Sequence, residues 1–404
     1  MNAPLAAPLL SAVEMAPRDP IYGVTEAFTA DTHPSKVNLG VGVYCDEDGK
    51  VPLLDCVRHA ERALAEQGKP HAYLPIDGIA AYDRAVQTLI FGDGEVVGSG
   101  RAVTVQAIGG TGALRIGADF LRRFAPAAQV WISEPSWENH RALFESAGFT
   151  VHCYRYYDPT TRGLDFPGMF TSLERVPAGS IVVLHACCHN PTGVDPTPEQ
   201  WGRIIELVRA RGHVPFVDLA YQGFAESADA DAAPARRFAA TPGPLFVANS
   251  FSKSFSLYGE RVGALSIAAE NHDEAARVLS QVKRVVRGNY SSPPSFGGQV
   301  VCTILGSSEL AKLWEKELGS MRERIVTLRH ALVERLSVYA PKADFRFMLR
   351  QRGMFSYSGL TKEQVARLRS EFSVYAIDSG RICVAAVNPR NTDYVARAIA
   401  AVIS

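Results

Sequence analysis

Three short segments carry side chains whose types and spacing could do chemistry together: Asn190-Pro191-Thr192-Gly193, Asp218-Leu219-Ala220-Tyr221, and Ser250-Phe251-Ser252-Lys253 with Arg261 beyond it. Each comes at the end of an apolar run that reads as a buried parallel strand. Lys253, set beside hydroxyls in a partly desolvated place, would lose its proton readily and offer a neutral amine for an imine. Taken alone, a lysine is more simply a solvated surface residue. Asp218 ends Val214-Pro215-Phe216-Val217, where a carboxylate is costly unless it meets a cation. A pyridinium N–H would be such a partner, and a helix N-cap is the plainer use. Tyr221 and Asn190 could both donate to a phenolate oxygen; a core aromatic and a simple Asn-Pro turn are their structural alternatives. Ser250, Ser252 and Arg261 could hold a phosphate. Amine, ring-nitrogen acid, ring-oxygen donors and phosphate cup are together what pyridoxal phosphate requires.

Other motifs are weaker or compete. Ile108-Gly109-Gly110-Thr111-Gly112 follows a strand-like run and opens a helical pattern, so its backbone N–H groups could also receive phosphate. A dinucleotide fingerprint starting at Gly110 needs glycine at position 115, which is Arg115. The pairs Gly49-Lys50 and Gly68-Lys69 lack the Ser or Thr that continues a P-loop. Both nucleotide readings, including a nicotinamide oxidoreductase, therefore weaken. In His185-Ala186-Cys187-Cys188-His189, alternate residues of a strand would share a face and could ligate a metal, but no second ligand cluster completes a shell. No metal is expected. Trp137, in Pro135-Ser136-Trp137-Glu138-Asn139-His140, could stack on a planar ring or sit in the core. Arg381, beside the apolar Ile382-Cys383-Val384, and Arg287, before Asn289-Tyr290-Ser291, each suit a bidentate grip on a carboxylate or an ordinary surface ion pair.

The elements that must position these residues are legible as alternating short apolar runs and longer helical patterns. The runs are 102–107, 130–133, 181–185, 214–218, 245–249 and 262–267. Such alternation predicts α/β layers around a mostly parallel sheet, with ligands at the carboxyl ends of its strands. From Leu310, apolar residues at Leu313, Trp314, Leu318, Met321, Ile325, Leu328, Leu332 and Leu336 predict one long amphipathic helix, leading from a large domain into a smaller one. A coiled-coil dimer seam is the competing use of that stripe. With 404 residues, 47% of them hydrophobic, two domains are expected. The 42 basic and 42 acidic residues balance, which argues against a broad surface for nucleic acid or anionic membrane. Seven scattered cysteines without a CxxC pair suit reduced thiols. The mildly apolar stretch Ala3 to Val13 has no basic residue ahead of it, so no secretory signal is expected, and no segment reaches the ~20 apolar residues of a membrane span. A cytoplasmic protein is the resulting expectation.

In order, NLGVGVY, YLPIDG, GGTGALR, PSWENH, CCHNPTG, DLAYQGF, NSFSKSFSLYGERVG, RGNYSSPP, GMFSYSGL and SGRICVA resemble the class I aminotransferases, specifically their aspartate and aromatic amino acid branch. The resemblance runs from about Pro17 to the C-terminus. It implies a fold type I pyridoxal-phosphate-dependent transferase, with a mostly parallel seven-stranded sheet in the large domain and a smaller α/β domain. On that plan residues 1–47 form an N-terminal segment and part of the small domain, 48–320 the large domain and 321–404 the rest of the small domain. The resemblance implies that Lys253 is the imine-forming lysine and that Asp218 partners the ring nitrogen. Asn190 and Tyr221 then address the ring oxygen, and Trp137 stacks on the ring. Gly110, Thr111, Ser250, Ser252 and Arg261 would hold phosphate, joined by Tyr73 from the other subunit of a homodimer. Arg381 would bind the α-carboxylate near Gly40 and beneath Phe355. His140 and His189 would support Asp218, and Asn190-Pro191 would be cis.

Arg287 matches an arginine that, in this branch, crosses from the partner subunit to pair with the side-chain carboxylate of aspartate or glutamate. An aromatic substrate leaves that charge unpaired unless the arginine swings away. The wording YLPIDG and NYSS leans toward the aromatic type. The expected reaction is transamination in two half-reactions between an aromatic L-amino acid and 2-oxoglutarate, with activity on aspartate and glutamate. Aspartate aminotransferase as the main activity is the alternative. A non-catalytic regulator on the same scaffold would usually carry a DNA-binding domain, for which a match starting near Pro17 leaves no room.

Overall fold

A computed structural model of the chain describes residues 9–16, 19, 21–68 and 70–404. Most of the Ala3 to Val13 stretch read against a secretory signal lies outside the described residues, as do Pro17, Arg18 and Lys69. Seven strands form the central sheet: β1 (Ala102–Ile108), β2 (Val130–Glu134), β3 (Val151–Arg155), β4 (Ile181–His185), β5 (Val214–Leu219), β6 (Leu245–Ser250) and β7 (Val262–Ala268). Their spatial order is β1-β7-β6-β5-β4-β2-β3. β7 runs antiparallel to both β1 and β6, and every other pairing is parallel.

All six apolar runs become strands of this sheet. β6 and β7 are buried at every position, and β5 at all but its first. That is why they read as unbroken apolar runs without alternation: layers cover both faces. Phe216 and Phe246 enter the core on one face, with Leu114, Phe120 and Phe144. Their neighbours Val217 and Val247 enter the core on the other, with Leu219 and Trp201. The strand missed from the sequence, β3, is an edge strand with only Val151 and Tyr154 buried, so its polar residues hide the pattern. The antiparallel course of β7 is set by its pairing partners and leaves no mark in its composition.

The predicted long helix spans Ser308–Tyr339, capped by the Ser307 side chain. Its apolar stripe is buried against this chain's own core, so it serves no coiled-coil seam. Near its start Trp314 Nε1 donates to the Ser254 carbonyl, and Glu317 accepts from the backbone of Asp55 and Cys56. Near its end Arg329 reaches the Gly353 and Phe355 carbonyls, and Tyr339 donates to Asp393. The helix thus ties the sheet layer to a C-terminal layer, in which strand Phe355–Tyr357 pairs antiparallel with Arg381–Cys383. The N-terminal strand Val37–Asn38 joins that same layer, parallel to Val374–Tyr375. Among the described residues, no helix is long and apolar enough to cross a membrane.

Candidate active site

A cavity of about 490 Å3 opens at the carboxyl ends of the parallel strands. β1 ends at Ile108, and the helix Gly109–Phe124 starts at once with no side chain capping it. Its first N–H groups, at Gly110 and Thr111, therefore remain available beside the cavity. Glycine is needed here for two reasons. Gly109 has a φ of +66°, and a Cβ on it would stand 2.6 Å from Arg261 Nη2. A Cβ on Gly110 would press the Ser250 Cβ at 3.1 Å. Ser250, at the end of β6, accepts from the Ser252 N–H at 3.3 Å, and Arg261 Nη1 donates to Ser252 Oγ at 3.3 Å and to the Tyr258 carbonyl at 2.9 Å. The helix start, two serines and a guanidinium converge on one cup.

Asp218 lies inside β5, one residue before its end. His140 Nε2 meets its Oδ2 at 2.9 Å, while the buried Oδ1 has no protein partner. Behind it the hydrogen bonds run in one direction. The Asn190 N–H donates to His185 Nδ1 at 3.0 Å, so the His185 proton sits on Nε2, which is 3.4 Å from His140 Nδ1. Ser136 Oγ also reaches that Nδ1 at 3.0 Å, leaving Nε2 of His140 to donate to the carboxylate. Burial alone would raise the Asp218 pKa. The hydrogen bond from His140, with Lys253 beyond, reverses that and holds the carboxyl below its ordinary range. His185 is driven well below the usual imidazole value by burial and by His189 and His140.

His189 differs from expectation. It does not touch Asp218: it bonds Ser133 Oγ and Thr192 Oγ1, both at 2.8 Å, and stacks on Tyr156 and His185. His185, weighed in the sequence as a metal ligand, is instead the link between Asn190 and His140. Its donor atom lies within 4.8 Å of those of His140 and Asp218, and hydrogen bonds account for the cluster. Asn190-Pro191 is cis.

Lys253 opens onto the same cavity, with Nζ 4.7 Å from the Tyr221 ring centroid. Burial lowers its pKa to about 8 against the pull of Asp218, and the charges of Arg261 and Arg381 assist. Burial pushes the Tyr221 hydroxyl up. Trp137 precedes the helix Glu138–Ser146, lines the cavity, and meets His140 edge to face at 5.3 Å.

Arg381 is 1% exposed and has no carboxylate partner among the described residues. Nη1 donates to Asn190 Oδ1 at 3.1 Å, Nη2 donates to the Gly40 carbonyl at 2.9 Å, and the buried Nε is unpaired. Its guanidinium lies 4.2 Å from the Phe355 ring centroid, and that ring meets Tyr221 edge to face at 5.8 Å. Because Asn190 accepts through Oδ1, its Nδ2 is left as a donor.

Tyr73 and Arg287 lie outside this cavity. Tyr73 is 97% exposed on the connection between helices Asp55–Gln67 and Ala80–Phe91, and exposed Arg287, near the end of helix His272–Asn289, donates to Ser291 Oγ. Sequence reasoning missed other lining residues: Ile21, Tyr22 and Thr25 at the first long helix, Val41 and Val43, and Tyr258, whose hydroxyl accepts from the Tyr44 N–H at 2.9 Å. Tyr258 stands within the quoted SLYGER. The N-terminal residues carry only an apolar character, which does not announce a pocket.

The residues fit pyridoxal phosphate. Asp218 Oδ1 is a buried acceptor awaiting a donor, Arg381 Nε a buried donor awaiting an acceptor, and the glycine-lined cup ends on open N–H groups.

This sheet edge, with its amine, its acid, its cup of open N–H groups and the unpaired Arg381, is of the aminotransferase kind, and the chain belongs to that family: a profile described as aminotransferase class I and II matches residues 34–399. It is a transaminase. The chain is 59% identical over 396 residues to an aspartate aminotransferase of Pseudomonas aeruginosa, covering 98% of this chain and 100% of that protein. It is 49% identical to an aromatic-amino-acid aminotransferase of Escherichia coli, covering 95% and 98% respectively. Among solved structures, an aromatic-amino-acid aminotransferase from Burkholderia pseudomallei, covalently bound to pyridoxal phosphate, superposes with a TM-score of 0.96 at 62% identity, covering 98% of this chain and 100% of that one.

Proposed function

We propose that the chain catalyses reversible amino transfer between an aromatic L-amino acid, tyrosine or phenylalanine, and 2-oxoglutarate, with aspartate and glutamate as further substrates. The observation that carries this reading is buried Arg381, free of any carboxylate, sharing one cavity with Lys253 and with an apolar wall of Ile21, Val41 and Val43. An arginine of that kind selects a carboxylate, and the wall accepts an aromatic ring. Aspartate as the main substrate is the second reading, favoured by the name of the Pseudomonas relative.

Pyridoxal phosphate supplies the carrier for the amino group and the electron sink that loosens the α-hydrogen. Lys253, with its pKa lowered to about 8, holds the proton and moves it at the substrate α-carbon. Asp218 would meet the ring N–H through Oδ1, kept charged and aimed by His140. Asn190 Nδ2 and the Tyr221 hydroxyl would address the ring oxygen, and Trp137 would flank the ring. Gly110, Thr111, Ser250, Ser252 and Arg261 would hold the phosphate. Arg381 would take the α-carboxylate, its guanidinium fixed by the Gly40 carbonyl and the Phe355 ring. Tyr73 and Arg287, remote from this chain's own cavity, would complete the site of a second copy in a homodimer. Residues 1–47 and 321–404 would share the small domain and 48–320 would form the large one; the pairing of Val37–Asn38 with Val374–Tyr375 supports grouping the N-terminal segment with the C-terminal layer. Seven free cysteines suit a cytoplasmic enzyme.

The deciding experiment compares kcat/KM for aspartate, phenylalanine and tyrosine with 2-oxoglutarate as acceptor. Comparable or higher values for the aromatic pair support the proposal. An aspartate advantage of a thousandfold or more, about 4 kcal/mol, overturns the aromatic assignment.

A further inference from the structure

Phe355 has two neighbourhoods. Its ring lines the catalytic cavity, while its carbonyl accepts from Arg329 Nη2 at 3.3 Å. Arg329 belongs to a second cavity of about 410 Å3, where the long helix contributes Arg322, Arg329 and His330, and the short 3-10 helix Arg346–Arg350 and the turn after it contribute Arg350 and Arg352. No aspartate or glutamate is among its described lining residues.

The guanidinium groups there are held mostly by neutral oxygens. Arg329 is 3% exposed; its Nη2 donates to the Gly353 carbonyl at 2.5 Å as well as to Phe355, and its Nε to Ser356 Oγ at 3.3 Å. Among the described residues, these bonds use Nε and Nη2 and none is made by Nη1. Arg322 donates to the Gly223 carbonyl at 2.8 Å and Arg350 to the Thr161 carbonyl at 3.5 Å. Among the described residues, Arg352 is the one of these arginines in an ion pair, with Glu226 at 3.5 Å, half outside in solvent, and it also reaches the Ala225 carbonyl at 3.4 Å. Burial drives the Arg329 pKa down to about 10, and the charge of Arg352 assists. Gathering several cations around one cavity, the buried Arg329 among them, with a single exposed carboxylate at its rim is costly, and an anion placed between them offsets that cost.

We infer that this rear cavity is a binding site for a phosphate dianion, either free or carried as the monoester of a small metabolite. Forked guanidinium groups match phosphate oxygens in pairs, and a double negative charge answers several of them at once. The volume is within the range of small-molecule sites. Phe224, Ile325 and Leu349, which also line it, give an apolar floor for the body of an ester. The site is separate from the phosphate cup at Gly110 and Arg261, which faces the other cavity.

The test uses the holoenzyme, whose own phosphate cup is filled, in phosphate-free buffer of low ionic strength. Calorimetric titration with inorganic phosphate and, separately, with glycerol 3-phosphate should each show saturable binding. Arg322→Gln with Arg350→Gln should weaken it by at least about a hundredfold, with each single substitution giving part of the loss. Both positions are partly or fully exposed, and an unchanged cofactor absorbance spectrum would confirm an intact fold. Tighter binding of the ester than of free phosphate identifies a metabolite as the ligand, and equal binding identifies phosphate itself. Absence of binding to the unsubstituted holoenzyme, or equal affinity in the double variant, overturns the inference.

Discussion

The two ends of the catalytic cavity are built differently. The end that would hold the cofactor comes from 109–261, at the carboxyl edge of one sheet: Gly110, Asn190, Asp218, Ser250 and Lys253 follow from strand register and short turns. The end that would hold the amino acid is assembled from distant stretches, with Ile21, Gly40, Val41 and Val43 from the start of the chain and Phe355 and Arg381 from near its finish. The sheet edge is fixed by a fully buried core, whereas the other wall depends on how two terminal layers meet. Damage to the first should therefore remove chemistry for every substrate alike. Damage to the second should separate substrates.

Lys253→Ala is the largest expected loss: kcat should fall by about 10,000-fold or more, ~5 kcal/mol, for aspartate and tyrosine equally, while cofactor still binds in the phosphate cup. Stopped-flow and steady-state rates check it. Asp218→Asn should lower kcat by about a thousandfold, again evenly across substrates, because the neutral amide no longer answers a protonated ring nitrogen. Arg381→Lys retains the charge but loses the planar fork; kcat/KM should fall about a hundredfold, ~3 kcal/mol, with cofactor affinity unchanged in a fluorescence titration. If Arg381→Lys weakened cofactor binding as much as turnover, the two ends would not be separable.

Ile21→Ala should cost the aromatic substrates about tenfold in kcat/KM and aspartate little, since only a ring uses that apolar wall. The gentlest test is pH. Because the depressed Lys253 pKa lies at about 8, the neutral amine fraction grows as pH rises through 8, and the rate of cofactor attachment to apoenzyme should climb and level off just above it. A rate still climbing at the ordinary lysine value of about 10.4 would show that burial does not tune this amine.

The same contrast explains what the sequence could reveal. Lys253, Asp218 and Asn190 stand at the ends of apolar runs, and strand burial makes such runs visible from composition alone. His185 was visible only as a histidine; that its Nδ1 accepts from Asn190 and its ring links to His140 depends on the turn after β4. Assigning His189 to Asp218 failed for the same reason, because stacking on Tyr156 turns its nitrogens toward Ser133 and Thr192. Ile21 and Tyr22 gave no local signal, since a pocket wall formed by packing one terminus against the sheet has no periodicity of its own. The rear cluster around Arg329 was equally silent: its arginines come from a helix and a loop that meet only in three dimensions.

The central claim is that one lysine on the β6 edge is the covalent anchor of the cofactor. Borohydride reduction of the holoenzyme followed by peptide mapping tests it directly. A phosphopyridoxyl group on Lys253 alone is the predicted result, and a stable adduct on any other lysine, with Lys253 unmodified, would contradict it.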